Sequence, residues 1–188
     1  MLIAIAGSGG CGKSTVLNKL KDLGYNTIQR KTSRSILSDW NIDLEEINSD
    51  PELSIKFQLE IIKRKCADEY IAQLDGSIWF TERTFADLFV YQLVSLGNLN
   101  SYSSFINEYY NDCIKKQQSY DKVFYLRSGL FTPEHDGVRG SNVHYSRMID
   151  LTMLDITKRM TRSDKVVIVD TPCIEQRITT ILAHSGLL

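Results

Sequence analysis

Apolar positions in this chain fall into short unbroken runs separated by longer stretches with a helical period. Leu2–Ala6 is a continuous apolar run, the pattern of a strand covered on both faces in a parallel sheet. Lys13 to Leu23 then sets Val16, Leu17, Leu20 and Leu23 on one helical face, with Gly24 as a stop. Tyr25 to Arg30 suits a short second strand and Ser33 to Trp40 a helical turn, while Asn41 to Ser49 is polar and ambiguous. Asp50-Pro51-Glu52 brings a cap acceptor, a preset proline angle and an acid in the first turn, so a long helix is expected from there to about Leu74. After the Asp75-Gly76 turn, Ser77 to Phe80 predicts a third strand. Thr84 to Leu96 predicts a helix facing inward with Leu88, Tyr91 and Leu96, and Gly97 ends it. Further helices are expected over Ser101 to Gln118 and Asn142 to Arg162, and further strands over Lys122 to Leu126 and Lys165 to Val169. Strands alternating with helices in this way predict an α/β fold, a doubly wound five-stranded parallel sheet with helices on both faces.

The chain's 188 residues suit one domain, 1–188, with a substantial core. Hydrophobic residues at 43% and charged residues at 24% exclude a disordered or fibrous chain. Lys plus Arg at 22 against Asp plus Glu at 23 leave a net charge of -1, which excludes a wholly basic surface but leaves room for a local basic groove. Cys11, Cys66, Cys113 and Cys173 have no paired spacing and read as reduced thiols, so a cytoplasmic location is expected. Met1 to Ala6 is too short and uncharged for a signal peptide, and no stretch is long enough for a membrane span.

The strongest chemical signal is Gly7-Ser8-Gly9-Gly10-Cys11-Gly12-Lys13-Ser14, which matches the phosphate-loop pattern G-x-x-x-x-G-K-[ST]. Its glycines let successive backbone N–H groups turn around a phosphate chain at the start of a helix, whose dipole also favours anions. The expected ligands are ATP and Mg2+, with Gly9, Gly10, Cys11, Gly12, Lys13, Ser14 and Thr15 around the phosphates. Lys13 should reach the β and γ phosphates, and Ser14 the metal. The competing explanation is a glycine-rich strand-to-helix turn with an incidental lysine; the apolar strand before the loop and the amphipathic helix it opens, both required by the motif, favour the phosphate loop.

On these residues the chain resembles the P-loop kinases of nucleosides and nucleotides. Thr81-Glu82-Arg83-Thr84, with Asp87 four residues after Arg83, resembles the acidic-Arg-Ser/Thr motif of deoxynucleoside kinases and the Asp-Arg motif of thymidylate kinases. The resemblance implies that Glu82 helps hold magnesium or its water, that Arg83 faces the acceptor or the transferred phosphate, and that Asp87 belongs to the acceptor site; the alternative is a surface ion pair capping the next helix. The polar segment at about 127–147, with Arg127, Pro133-Glu134-His135-Asp136-Gly137-Val138-Arg139 and Arg147, resembles a nucleotide-kinase lid. Its Asp-Gly-Val-Arg string is similar to one in ribosylnicotinamide-kinase-like and phage-type P-loop kinases. Arg139 is implied as the lid arginine that neutralises γ-phosphate charge and helps exclude water, against an ordinary loop in which Arg127 or Arg147 pairs with Glu134 or Asp136. Asp170-Thr171-Pro172 stands where such kinases run their adenine-side loop. His135 and His144, without a His/Cys cluster, read as loop residues.

Many nucleoside kinases carry an acid after the second strand, where it takes the acceptor's proton. Here Gln29-Arg30-Lys31-Thr32-Ser33-Arg34 is basic, and its Thr-Ser-Arg part resembles the Thr-Thr-Arg segment of guanylate kinases. Arg30 and Arg34 beside the acceptor suit a phosphate already present, whose phosphorylation needs electrostatics more than a base. The leading expectation is therefore a kinase for a (deoxy)nucleoside monophosphate. One alternative acts on a hydroxyl of a modified base in DNA, such as hydroxymethyluracil, with Lys56, Lys63 and Arg64 extending a basic groove and Lys65 near it. Another phosphorylates a free nucleoside, with Asp87 or Glu82 as base. A non-catalytic nucleotide switch also fits the loop, although the N-K-x-D string of small GTPases is missing. The acceptor, whether small nucleotide or DNA, and the oligomeric state stay open at this level.

Overall fold

A computed structural model of the chain describes residues 1–29, 32–96, 98–130 and 142–188. Its elements are β1 (Leu2–Ala6), α1 (Lys13–Asp22), β2 (Asn26–Ile28), α2 (Thr32–Trp40), α3 (Leu44–Ser49), α4 (Pro51–Asp75), β3 (Trp79–Glu82), α5 (Phe85–Leu96), α6 (Ser103–Gln117), β4 (Lys122–Leu126), α7 (Val143–Met160), β5 (Val166–Val169) and α8 (Ile174–His184). The strands form one parallel sheet in the order β2-β3-β1-β4-β5. Strand side chains alternate between faces. Leu2, Ala4 and Ala6 of β1 join Phe57, Ile61 and Leu88 in one core layer. Ile3 and Ile5 meet Val16, Leu17, Leu20 and Ile181 in the other. Because the chain leaves β1 for one edge of the sheet and β3 for the other side, a crevice opens beyond the carboxyl ends of these central strands. Among the described residues no helix is long and apolar enough to cross a membrane.

Several expectations shift. The third strand is Trp79–Glu82 rather than Ser77 to Phe80, because pairing with β1 sets Thr81 beside Ala4 and Glu82 beside Ile5. The ambiguous segment Asn41 to Ser49 holds α3, started by Asp43 and Glu46 in a reciprocal capping box. Leu23 follows the end of α1 and is exposed, not part of its buried face, and Tyr91 is only half-buried. The apolar β5 lies at the sheet edge, where Ile168 is exposed. The helix α8 covering it was not anticipated. Asp50 caps α4 as expected, accepting from Glu52 and Leu53 N–H groups, and Asn142 caps α7 in the same way. His144 falls in the first turn of α7 rather than in a loop. Gly97, His135 and the string through Arg139 lie outside the described residues.

Candidate active site

The phosphate loop folds as it does because its first glycine cannot carry a side chain. Gly7 has φ +133°, and a Cβ there would stand 2.5 Å from the Leu126 carbonyl oxygen and 2.8 Å from Cys11 Sγ. The loop can therefore run against the end of β4 only as bare backbone. Gly12 then enters α1 at φ 88° with no side-chain cap on the helix, which leaves the first N–H donors of α1 for an anion. Gly9, Ser14 and Thr15 are exposed, Gly10 and Gly12 half-buried, and Cys11 buried. Lys13 is 7% exposed and its Nζ donates to the Gly7 and Ser8 carbonyls at 2.7 and 2.8 Å. Ser8 Oγ is buried in the same loop with no hydrogen-bond partner.

The end of β3 brings the second motif to this loop. Ser14 Oγ donates to Glu82 Oε1 at 3.2 Å, so the acid faces the loop rather than capping the next helix. That helix is capped by Thr84, whose hydroxyl accepts the Asp87 N–H and donates to Asp87 Oδ1 at 2.9 Å. Arg83 stands between at φ 66°, with its guanidinium carbon 5.6 Å from the Tyr91 ring centroid. Asp87 is not at an acceptor surface. It has no exposure, and its second oxygen accepts the Gly7 N–H at 3.3 Å, so it braces the loop from beneath.

Charge in this region is set by burial. Burial pushes the Asp87 carboxyl upward, against Lys13, Thr84 and Arg83, which pull it down. Burial pulls the Lys13 ammonium down, but Cys11, Tyr91 and Asp87 outweigh it and leave its pKa raised, so the side chain stays cationic at neutral pH. Burial likewise pushes the Cys11 thiol up.

The oxygen donors of Ser14 and Glu82 fit a hard divalent cation. Among the described residues no group of three or more His, Cys, Asp and Glu side chains is gathered.

The basic side chains are more dispersed than the sequence suggested. Arg34 is exposed on α2, while Arg30 and Lys31 lie outside the described residues. Arg64 is not free for a groove: it binds Glu60 at 2.8 Å, Asp39 at 2.8 Å and Ser35 at 3.2 Å. Lys63 is highly exposed 3.7 Å from Glu60, Lys56 is exposed, and Lys65 is buried. Arg127 pairs with Asp150 at 3.2 Å, Arg147 is exposed on α7, and Glu134 and Asp136 lie outside the described residues.

A family model described as an AAA domain matches residues 2–177. The chain belongs to the AAA domain family. A search of curated proteins finds no match. Among solved structures, deoxyadenosine kinase from M. mycoides with bound dATP is similar in fold, with a TM-score of 0.69 at 20% identity, over 99% of this chain and 100% of that one. NadR in complex with NR has a TM-score of 0.67 at 16% identity, over 100% of this chain and 52% of that one. A second NadR structure, with NAD and AMP-PNP, has a TM-score of 0.64 at 16% identity, over 100% of this chain and 50% of that one. The expected P-loop kinase fold is the fold found.

Four residues of this AAA domain support the site without having been picked out for that role. Arg177 of α8 donates to the Cys11 carbonyl at 2.7 Å and the Thr171 carbonyl at 2.6 Å, tying the phosphate loop to the segment after β5. Asp150 of α7 accepts from the Tyr125 hydroxyl at 3.0 Å and from Ser128 N–H at 3.3 Å, fixing the start of the expected lid. Lys65 and Glu69 of α4 meet behind β3. No local motif marks Arg177 or Asp150, whose partners come from other elements, while Lys65 and Glu69 form an i,i+4 pair on α4 that only the packing against β3 buries. A shallow concavity of about 530 Å³ lies beside β5 and α8, lined by Ile168, Glu175 and Thr179 among others, and no phosphate-loop residue lines it.

Proposed function

We propose that this AAA domain is an ATP-dependent phosphotransferase that moves the γ-phosphoryl group to a nucleotide acceptor, foremost a (deoxy)nucleoside monophosphate. The supporting observation is the meeting of Ser14 and Glu82 at 3.2 Å across the central strands, beside a buried lysine and an uncapped helix start. On nucleotide binding, the free N–H groups of α1 take phosphate oxygens, and Lys13 exchanges its two loop carbonyls for them. Ser14 and Glu82 would hold magnesium, which would supply charge neutralisation on the phosphates. Arg83 serves the transferred or acceptor phosphate. Arg139 closes over the γ-phosphate by the resemblance alone.

Arg30 and Arg34 take the acceptor's own phosphate, so no general base is needed. A second reading, phosphorylation of a free nucleoside, is favoured by the names of the similar folds, deoxyadenosine kinase and NadR with NR. It would place the base on Glu82, because the Asp87 carboxylate is fully buried and engaged with Gly7 and Thr84.

Labelled ATP offered with nucleosides, nucleoside monophosphates and hydroxymethylated DNA separates these readings. Labelled diphosphates support the first, and Arg34→Ala then raises the acceptor KM while leaving that for ATP unchanged. Label on a free nucleoside selects the second. Label on DNA, with binding that falls by about 0.7 to 0.9 log units per log unit of salt for each neutralised phosphate, overturns both. No transfer to any acceptor leaves a nucleotide-binding switch.

A further inference from the structure

Directly behind the Glu82–Arg83 corner lies a polar centre that no step above uses. Lys65 and Glu69, one turn apart on α4, are 7% and 3% exposed, and Lys65 Nζ donates to Glu69 Oε1 at 2.6 Å. The same ammonium donates to Thr81 Oγ1 at 3.3 Å, to the Glu82 carbonyl at 3.1 Å and to the Arg83 carbonyl at 3.0 Å. It lies 5.6 and 5.8 Å from the Phe85 and Tyr120 ring centroids. Glu69 Oε1 also accepts from Thr81 Oγ1 at 2.8 Å and Tyr120 OH at 3.2 Å.

A buried ion pair is a weak source of stability, since apolar residues of similar volume often stabilise a fold as well. The ammonium can do something an apolar side chain cannot: it collects two successive backbone carbonyls on one cation. Those carbonyls flank Arg83, whose φ of 66° is one that a non-glycine residue keeps only where its surroundings impose it. With both carbonyls drawn back toward α4, the Glu82 carboxylate reaches Ser14 and the Arg83 guanidinium stands over Tyr91.

We infer that Lys65 is a positioning residue whose ammonium, balanced by Glu69, holds the Glu82–Arg83 backbone in the left-handed turn that presents both side chains to the phosphate loop. Its catalytic consequence rests on the phosphotransferase reading; its backbone consequence does not.

The test is the double variant Lys65→Met with Glu69→Gln. It removes both charges together and keeps an acceptor for Thr81 and Tyr120. In its crystal structure the Arg83 φ is expected to leave the positive region. ATP affinity without metal should stay within about twofold, because the loop is untouched. The magnesium concentration for half-maximal rate should rise about tenfold and kcat should fall about 100-fold, the scale of an ångström-sized misplacement. If the double variant does not fold, Lys65→Leu with Glu69→Gln, which likewise leaves neither carbonyl a donor from this position, is read by the same measurements. An Arg83 φ that stays positive overturns the inference whatever the kinetics. So does a relaxed Arg83 with wild-type kcat and magnesium dependence. A relaxed Arg83 in a protein whose wild type phosphorylates nothing supports the positioning role and removes the phosphotransferase reading instead.

Discussion

Lys13 and Lys65 are each 7% exposed, yet the two buried cations are built for opposite purposes. Lys13 rests on two backbone carbonyls and a thiol 3.7 Å away, with no carboxylate bonded to it. Its charge is therefore left over for an incoming anion. Lys65 is bonded to a carboxylate at 2.6 Å, and its remaining donors are spread over a hydroxyl and two carbonyls. A buried cation without a bonded counter-ion is ready for a ligand; one with its counter-ion beside it organises the chain.

The sharpest way to break this contrast is stability. Lys65→Met leaves Glu69 charged and unpaired in the interior, which should cost about 3 to 5 kcal/mol in urea unfolding. Lys13→Met removes hydrogen bonds to two carbonyls and strands no bonded carboxylate, so about 1 to 2 kcal/mol is expected. Equal losses would erase the distinction.

Activity sharpens it from the other side. Lys13→Ala should lower phosphoryl transfer by about 3 to 4 kcal/mol of transition-state stabilisation, the scale of losing an oxyanion donor. Initial rates of ATP consumption with acceptor check this, and wild-type turnover would remove Lys13 from the mechanism.

A smaller effect is expected where the loop meets β4. Gly7→Ala forces a Cβ to 2.5 Å from the Leu126 carbonyl, so about 1 to 3 kcal/mol of stability should be lost together with ATP binding. Gly9→Ala, whose Cβ would meet the Tyr91 hydroxyl at an ordinary 3.8 Å, should melt close to wild type. A calorimetric scan of both decides, and equal melting temperatures would mean that the loop has room to shift.

The mildest test concerns Asp87. Burial raises its pKa in the folded chain above 3.8, so the folded state keeps the proton to higher pH than the unfolded one. Stability from this carboxyl is then present below pH 3.8 and is lost as pH rises through the folded value. Asp87→Asn should flatten that decline in a series of urea unfolding curves taken upward from pH 3.8. An unaltered slope would show that Asp87 ionises alike in both states.

Much of the fold was legible because its signals are local. The Leu2–Ala6 run, the Asp50-Pro51-Glu52 start and the Lys122–Leu126 strand all stand where pattern and caps place them. Other features depended on partners distant in sequence. Thr81 and Glu82 belong to β3 because the ladder with β1 continues to them, and the apolar run of β5 sits at an edge because no strand follows it in the sheet. The capping box at Asp43 and Glu46 is a local signal in a short, mostly polar segment that reads ambiguously along the chain, and packing of Ile47 into the core settles it as helix.

By itself the sequence determined the phosphate loop, since glycines at fixed spacing, a lysine and a hydroxyl between strand and helix constrain the backbone without reference to distant residues. It also determined the parallel α/β class, through apolar runs too continuous for a sheet with one wet face. Only the tertiary structure decided which charges meet. Asp87 turned inward to the loop, Lys65 was taken from a presumed basic groove into the interior, and Arg127 was claimed by Asp150. Spacing along one helix fixes which face a side chain shares. Whether that face meets water, a carboxylate or a pair of carbonyls is settled by the layer packed against it, because the strength of a charge interaction depends on the burial and partners that packing creates.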